Sequence, residues 1–360
     1  MRTLLMMAGG TGGHVFPALA VAQVLRERGI EVVWLGTRRG FEAHSVPEAG
    51  FDMEWISIRG LRGKGWWGWW VAPLRLTVAL VQSVMVILRR RPDALLGMGG
   101  FVAGPGGLAA WLLRKPLLIH EANAVAGFTN RWLALVAQRV MTGFPHSVGI
   151  DPKRGIYIGN PLRADIVAMD RRNNTEPDSK APLNLLVVGG SQGARVFNNI
   201  VPLALAALAI EQRPSVRHQC GRGNREAASL AYRDAGINGV APSEFIDDMA
   251  KAYAWADVVL CRAGAMTVAE LSAMGVTALL VPYPHAISGH QTANARFLSE
   301  HQAGVLLPES ELTPQCLAEW LGKFHARRDL LAGFGQRALS LSRPQATAEV
   351  AQICMERMCA

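Results

Sequence analysis

No Cys-x-x-Cys pair occurs in this sequence, and its five cysteines, Cys220, Cys261, Cys316, Cys354 and Cys359, are odd in number and widely spaced. That pattern argues against a disulfide framework or a zinc knuckle and fits a reducing cytoplasm. Asp-x-Asp is absent, as is any histidine pair at metal-ligand spacing; His285 and His290 stand five apart with Gly289 between them. A caged divalent cation is therefore not expected, and no metal or cofactor is assigned. No Gly-Lys-Ser or Gly-Lys-Thr occurs, which excludes a Walker loop. The dinucleotide fingerprint fails too. After Gly10 and Gly12 its third glycine position holds Val15, and the expected second strand, Glu31–Leu35, ends in Gly36 rather than in an acid. Long apolar runs are also missing. Trp66–Leu74 is interrupted by Arg75, and Leu76–Leu88 carries Thr77, Gln82 and Ser83, so neither reaches the roughly 18–20 residues that span a bilayer.

What is present is a globular composition: half of the residues are apolar, 18% are charged, and Gly numbers 37. A chain of 360 residues suits two domains. The excess of 37 Lys+Arg over 28 Asp+Glu, a net charge of +9, predicts an anionic partner: nucleic acid, a phosphorylated small molecule or anionic lipid. No nucleic-acid recognition module is found, so nucleic acid is not expected. The apolar start, Met1–Met7, stops at Ala8 before a glycine cluster and reads as a buried first strand rather than a signal peptide.

The clearest organisation is an internal echo. Leu4-Leu5-Met6-Met7 runs into Ala8-Gly9-Gly10-Thr11-Gly12-Gly13, and Leu185-Leu186-Val187-Val188 runs into Gly189-Gly190-Ser191-Gln192-Gly193-Ala194. Helical patterns follow over Ala18–Arg28 and Asn198–Gln212. Asp93–Gly97 before Gly99-Gly100 is matched by Asp257–Cys261 before Gly264-Ala265, and Pro116–His120 by Thr277–Val281. Short apolar runs alternating with helices predict buried parallel strands with crossover helices. Each half is therefore expected to be a Rossmann-like, doubly wound α/β sheet, with the site at the carboxyl ends of its strands and a cleft between the two domains. The chain divides near residue 161, and Pro344–Met358 reads as one last amphipathic helix with Pro near its first turn. The hinge lies near Gly159-Asn160-Pro161, ahead of the polar stretch Asp170–Pro182.

Glycine loops at helix N-termini suit phosphate oxygens, because converging N–H groups and the helix dipole favour negative charge. A single such loop is as well explained by a tight strand-to-helix turn. Four in register, at Gly9–Gly13, Gly97–Gly107, Gly189–Gly193 and Arg262–Ala265, favour anion binding. A diphosphate bound there would be neutralised by helix N-termini and basic side chains, which favours its metal-free departure.

At these loops the chain closely resembles the MurG family of bacterial N-acetylglucosaminyltransferases, glycosyltransferase family 28. The motifs run in family order over nearly the whole chain: Gly9–His14, Gly97–Gly106, His120-Glu121-Ala122-Asn123, Gly159–Arg163, Gly189–Arg195, Glu244–Met249, Arg262–Glu270, and His290-Gln291-Thr292-x-Asn294-Ala295. The resemblance implies the two-domain GT-B fold, with the last helix, 341–360, returning to the first domain, 1–161, and 162–340 forming the second, and an inverting transfer of N-acetylglucosamine from UDP-N-acetylglucosamine. The acceptor would be the muramoyl 4-hydroxyl of undecaprenyl-diphosphate-linked muramoyl-pentapeptide (lipid I), giving lipid II for peptidoglycan. It also implies a peripheral enzyme at the cytoplasmic face of the membrane. Carried over by position, the donor contacts are Thr11, Gly12, Gly13, Asn123, Arg163, Ser191, Ile246, Ala265, Met266, Thr267, Val268, Ala269, Glu270 and Gln291. Gly10, Gly99, Gly100 and Gly104 would hold the acceptor diphosphate. The chain departs from the family pattern at Ala122, Ala124, Phe101, Ser288 and Gly289, which bears on rate and donor geometry.

Two catalytic candidates emerge. His14 stands at the start of the first helix, whose dipole disfavours imidazolium and keeps the ring neutral. It is read as the base for the attacking hydroxyl or as a phosphate contact, against a helix-start histidine bonded only to backbone. Glu121, with His120, ends a strand and is the second candidate, against a structural pair. Glu270 has two readings: the family places it on the UDP ribose, whereas Thr267-Val268-Ala269-Glu270 also fits a capping box. Trp66, Trp67, Trp69 and Trp70, flanked by Arg59, Arg62, Lys64 and Arg75, read as an interfacial belt on an anionic membrane surface, against a core cluster. Another glycosyltransferase, a nucleotide-sugar epimerase and a non-catalytic sugar-nucleotide binder remain alternatives from the residues alone.

Overall fold

The computed structural model describes residues 2–58, 66–169, 181–190, 193–286 and 289–359, the side chains of 66–72 excepted. It divides into two compact units: Met1–Arg163 with Arg343–Ala360, and Ala164–Ser342. The first contains β1 (Thr3–Ala8), α1 (Gly12–Glu27), β2 (Glu31–Gly36), α2 (Glu42–Glu48), β3 (Asp52–Trp55), α3 (Trp66–Arg90), β4 (Ala94–Gly99), α4 (Ala103–Leu112), β5 (Leu117–Glu121), α5 (Phe128–Val136), β6 (Arg139–Thr142) and β7 (Gly155–Tyr157). The second contains α6 (Ala164–Ala168), β8 (Asn184–Val188), α7 (Arg195–Ala206), β9 (Ser215–Gln219), α8 (Arg225–Asp234), α9 (Met249–Trp255), β10 (Val258–Cys261), α10 (Ala265–Met274), β11 (Thr277–Leu280), α11 (His290–Glu300), β12 (Val305–Leu306), α12 (Pro314–Ala326) and α13 (Arg328–Ser340). The chain then returns to the first unit with α14 (Ala346–Met358).

Both sheets are parallel throughout, in the orders β3-β2-β1-β4-β5-β6-β7 and β12-β11-β10-β8-β9. Alternation along β1 divides the first core. Leu4, Met6 and Ala8 pack with α1 and with Ala346, Val350, Ala351 and Cys354 of α14. Leu5 and Met7 pack beneath α3, α4 and α5. Thr347 secures the returning helix: its hydroxyl donates to Leu162 O at 2.8 Å and accepts Leu162 N–H at 2.9 Å.

The echo in sequence is an echo in hydrogen bonding. Asp93, just before β4, accepts the Thr3 N–H at the start of β1 (2.7 Å), and Asp257, just before β10, accepts the Asn184 N–H at the start of β8 (2.8 Å). In each unit an aspartate thus ties together the two strands between which strand order reverses.

Two helix boundaries differ from the sequence reading. The first helix begins at Gly12, ahead of the expected Ala18, and passes through Pro17. Proline there removes one i→i−4 bond, to Gly13 O, a smaller loss than that of the whole first turn. The helix expected to reach Gln212 ends at Ala206, with a separate 3₁₀ turn over Ile210–Gln212.

Candidate functional site

In an open parallel sheet the crevice forms outside the carboxyl ends of the two strands where strand order reverses. Here those strands are β1 and β4 in the first unit and β8 and β10 in the second. The loops that leave them are Gly9–Thr11, Gly100–Val102, Gly189–Ala194 and Arg262–Gly264, so all four glycine loops singled out in the sequence lie at the two switch points.

The first-unit loops are built by close approach of backbone to backbone. Gly100 has φ +86°, and a Cβ there would overlap Gly9 O. Gly99 has φ +104°, and its Cβ would lie 2.6 Å from Cδ2 of His14. His14, half-buried in the first turn of α1, is therefore packed against the β4 loop by the absence of a side chain at Gly99. Thr11 is the extended N-cap residue, and its carbonyl accepts the N–H groups of His14 and Val15. Thr11 and Gly13 are exposed, and Gly12 is half-buried. Gly10 donates its N–H to Glu42 Oε2 at 2.9 Å, so that amide is engaged from within the protein. Gly104, in the first turn of α4, faces Thr129 of α5.

Glu121 is buried at the end of β5. It accepts Asn123 N–H (2.9 Å), Asn123 Nδ2 (3.2 Å), Gly127 N–H (3.0 Å) and Asn130 Nδ2 (2.9 Å). A carboxylate engaged by its own loop in this way orients Asn123 and the start of α5. His120 is fully buried, and Nε2 lies 2.9 Å from Gly159 O. Burial lowers its pKa more than the Gly159 bond and Glu121 raise it, so the ring is neutral and Nε2–H is the donor. Asn160 Nδ2 donates to Ala122 O at 3.0 Å, so the Gly159-Asn160 turn is fastened to the end of β5 at two points. Arg163 extends its guanidinium over Phe16 of α1, 5.9 Å from the ring centroid.

In the second unit, α10 starts at Ala265 with Gly264 as its extended N-cap, so Thr267 lies inside the helix. This overturns the capping-box reading of Thr267 and Glu270. Thr-x-x-Glu has the right spacing, but the extended backbone of Gly264 starts the helix three residues before Thr267. The Glu270 carboxylate instead accepts Tyr253 Oη at 3.0 Å, and Tyr253 is buried in α9. Ala265 and Val268 are buried, whereas Met266, Thr267, Ala269 and Glu270 are partly exposed, as is Ile246 ahead of α9. Gln291 accepts Tyr283 N–H at 2.8 Å, and Asn294 donates to Ala263 O at 3.2 Å. Arg262 is paired with Glu309 at 2.5 Å and lies between the Phe197 and Tyr283 rings. Ser191 lies outside the described residues. Glu42, Asn130 and Tyr253 went unread in sequence, because each meets its partner only through tertiary packing.

Known proteins resemble the chain along its whole length. The model of the glycosyltransferase family 28 N-terminal domain matches residues 4–142, and that of the family 28 C-terminal domain matches residues 184–332. The UDP-N-acetylglucosamine–N-acetylmuramyl-(pentapeptide) pyrophosphoryl-undecaprenol N-acetylglucosamine transferase of Alkalilimnicola ehrlichii is 55% identical over 354 residues, covering 98% of each chain. Its namesake from Nitrosococcus oceani is 52% identical over 356 residues, again 98% of each. The crystal structure of Acinetobacter baumannii MurG superposes with a TM-score of 0.84 at 39% identity, covering 99% of this chain and 100% of that one. With both halves matched in order and relatives of this identity aligned end to end, the chain belongs to glycosyltransferase family 28.

Proposed function

We propose that this chain transfers N-acetylglucosamine from UDP-N-acetylglucosamine to the muramoyl 4-hydroxyl of lipid I, with inversion, giving lipid II for peptidoglycan synthesis. The observation that carries the reading is the end-to-end identity of 55% with a transferase named for that reaction. The first unit is read as the acceptor domain and the second as the donor domain.

The chemistry is a single displacement. The acceptor oxygen bonds to the anomeric carbon, and the bond from that carbon to the diphosphate oxygen breaks. The electron pair leaves on UDP, and the hydroxyl proton passes to a base. His14 is the proposed base, since it stands at the first switch point, beside Gly99. Donor contacts are assigned to Thr11, Gly12, Gly13, Asn123, Arg163, Ser191, Ile246, Ala265–Glu270 and Gln291. The N-terminus of α10 meets the departing diphosphate and Glu270 meets the ribose. Gly10, Gly99, Gly100 and Gly104 are assigned to the acceptor diphosphate.

The lipid acceptor calls for a membrane surface, and one side of the first unit suits it. Helices α3, α4 and α5 cover one face of the sheet, and outward they expose Val81, Met85, Leu88, Trp111, Phe128 and Trp132. Arg75 is exposed on α3, whereas the side chains of Trp66, Trp67, Trp69 and Trp70 lie outside the described residues. Among the described residues no helix is long and apolar enough to cross a membrane. We read the enzyme as peripheral, held on the anionic cytoplasmic leaflet by this face, with no nucleic-acid partner.

The test is UDP release by the purified protein, with and without lipid I in anionic vesicles. Release that requires lipid I is the expected result. Release without acceptor, or none with it, overturns the reading.

A further inference from the structure

Glu42 is fully buried, it is ionisable, and the displacement described above makes no use of it. Its carboxylate joins two loops. Oε1 accepts both the backbone N–H (3.0 Å) and the hydroxyl (2.8 Å) of Thr37, just after β2, and Oε2 accepts Gly10 N–H, just after β1. A buried carboxylate persists where several donors replace its hydration, and here they do.

Three glycines enclose that carboxylate. A Cβ on Gly9 would lie 2.7 Å from Oε1, one on Gly36 would lie 2.9 Å from Cγ, and one on Gly40 would overlap the carboxylate. None of the three has positive φ, so it is space around Glu42, not backbone conformation, that glycine supplies. Gly9 O in turn lies against Gly100, and Gly99 beside it lies against His14. A continuous series of contacts thus runs from Glu42 through the Gly9-Gly10 peptide and the β4 loop to His14.

We infer that Glu42 is a positioning residue that braces the first glycine loop from beneath, setting the place of His14 against the β4 loop. This inference rests on the proposed transferase function for its kinetic consequences, but not for the structural ones. The second unit holds the counterpart: Gly190, at φ +82°, donates its N–H to Gln219 Oε1 at 3.3 Å, as Gly10, at φ +95°, does to Glu42. The same amide is held by a carboxylate in one unit and by a neutral amide in the other.

Two variants test the brace. Glu42→Gln keeps the volume but turns an NH₂ group toward either Gly10 or Thr37, where only an acceptor fits. Gly40→Ala keeps the charge and displaces the carboxylate sterically. Both are expected to lower kcat at least about tenfold, as misplacement of a reacting group does, with a smaller rise in the KM for UDP-N-acetylglucosamine, since Thr11, Gly12 and Gly13 of the same segment are assigned to the donor. Hydrogen–deuterium exchange of the segment 8–16 should accelerate in both while exchange in the second unit stays at wild-type rates. If Glu42→Gln fails to fold, Gly40→Ala carries the test alone. Wild-type kcat in the folded variants, a parallel rise in donor KM, or unchanged exchange in 8–16 would each overturn the inference. If wild type proves inert toward lipid I, the transferase reading fails, and the exchange measurement still decides whether Glu42 holds the loop.

Discussion

The two glycine loops that follow β1 and β8 occupy the same place in two parallel sheets and are braced in different ways. Both follow the strand at the reversal of strand order, and both donate the N–H of their second glycine to a side chain from a neighbouring segment. Under the first loop that side chain is Glu42, buried among Gly9, Gly36 and Gly40. Under the second it is Gln219, with Gly193 pressed against Cys220 O. A carboxylate beneath a loop opposes the binding of an anion above it, whereas a neutral amide leaves the loop's N–H dipoles uncompensated. The comparison assigns different work to similar shapes. On the proposed reading, the first loop places His14 as well as making donor contacts through Thr11, Gly12 and Gly13, whereas the second makes a donor contact only, through Ser191.

The largest expected effect tests the first half of that division. His14→Ala should lower kcat by about 10²–10⁴-fold, the usual range for loss of a general base, with donor KM nearly unchanged. A tenfold or smaller change, measured as UDP release at saturating donor, would remove His14 from proton transfer.

The second half is sharpened at Glu270. With the capping box excluded, Glu270→Gln should leave the melting temperature within a few degrees. It should weaken donor affinity by about 1.5–3 kcal/mol, the range for hydrogen bonds to charged groups. Titration calorimetry with UDP-N-acetylglucosamine and its 2′-deoxyribose analogue checks this, since the analogue should discriminate against wild type only. Equal affinity of the variant and wild type for the natural donor would leave Glu270 as a partner of Tyr253 and nothing more.

The smallest effect goes to the comparison itself. Gln219→Glu gives the second loop the brace of the first. For charges about 10 Å apart at an effective dielectric constant of about 20, the added carboxylate should weaken UDP binding by about 1–2 kcal/mol. The loss should shrink at low pH, where the new carboxyl is protonated. Undiminished UDP affinity at neutral pH would mean that the charge of the brace is irrelevant and that the loops differ only in shape.

Much of this was legible in the residues. Buried parallel strands announce themselves as short apolar runs, so β1, β4, β5, β8, β10 and β11 lie where those runs stand. The glycine loops were legible for the same reason, being fixed in place by the strands they follow. Helix starts were less so. The first helix, expected from Ala18, begins at Gly12 and takes Pro17 into its interior, and Thr267-x-x-Glu270 reads as a cap yet lies inside α10. A pattern of a few residues does not fix where a helix starts; the extended backbone at Thr11 and Gly264 does.

Sequence by itself determined the repeated α/β pattern, the family and the four loops, because these depend on local periodicity and on motif order. Only the tertiary structure decided what each polar side chain does. Glu121 faces the donors of its own loop, Glu270 meets Tyr253, and Glu42 reaches Gly10 because β2 lies beside β1 in the sheet. A buried carboxylate is held by whichever donors replace its water, and parallel strand pairing brings those donors from residues far away in the chain.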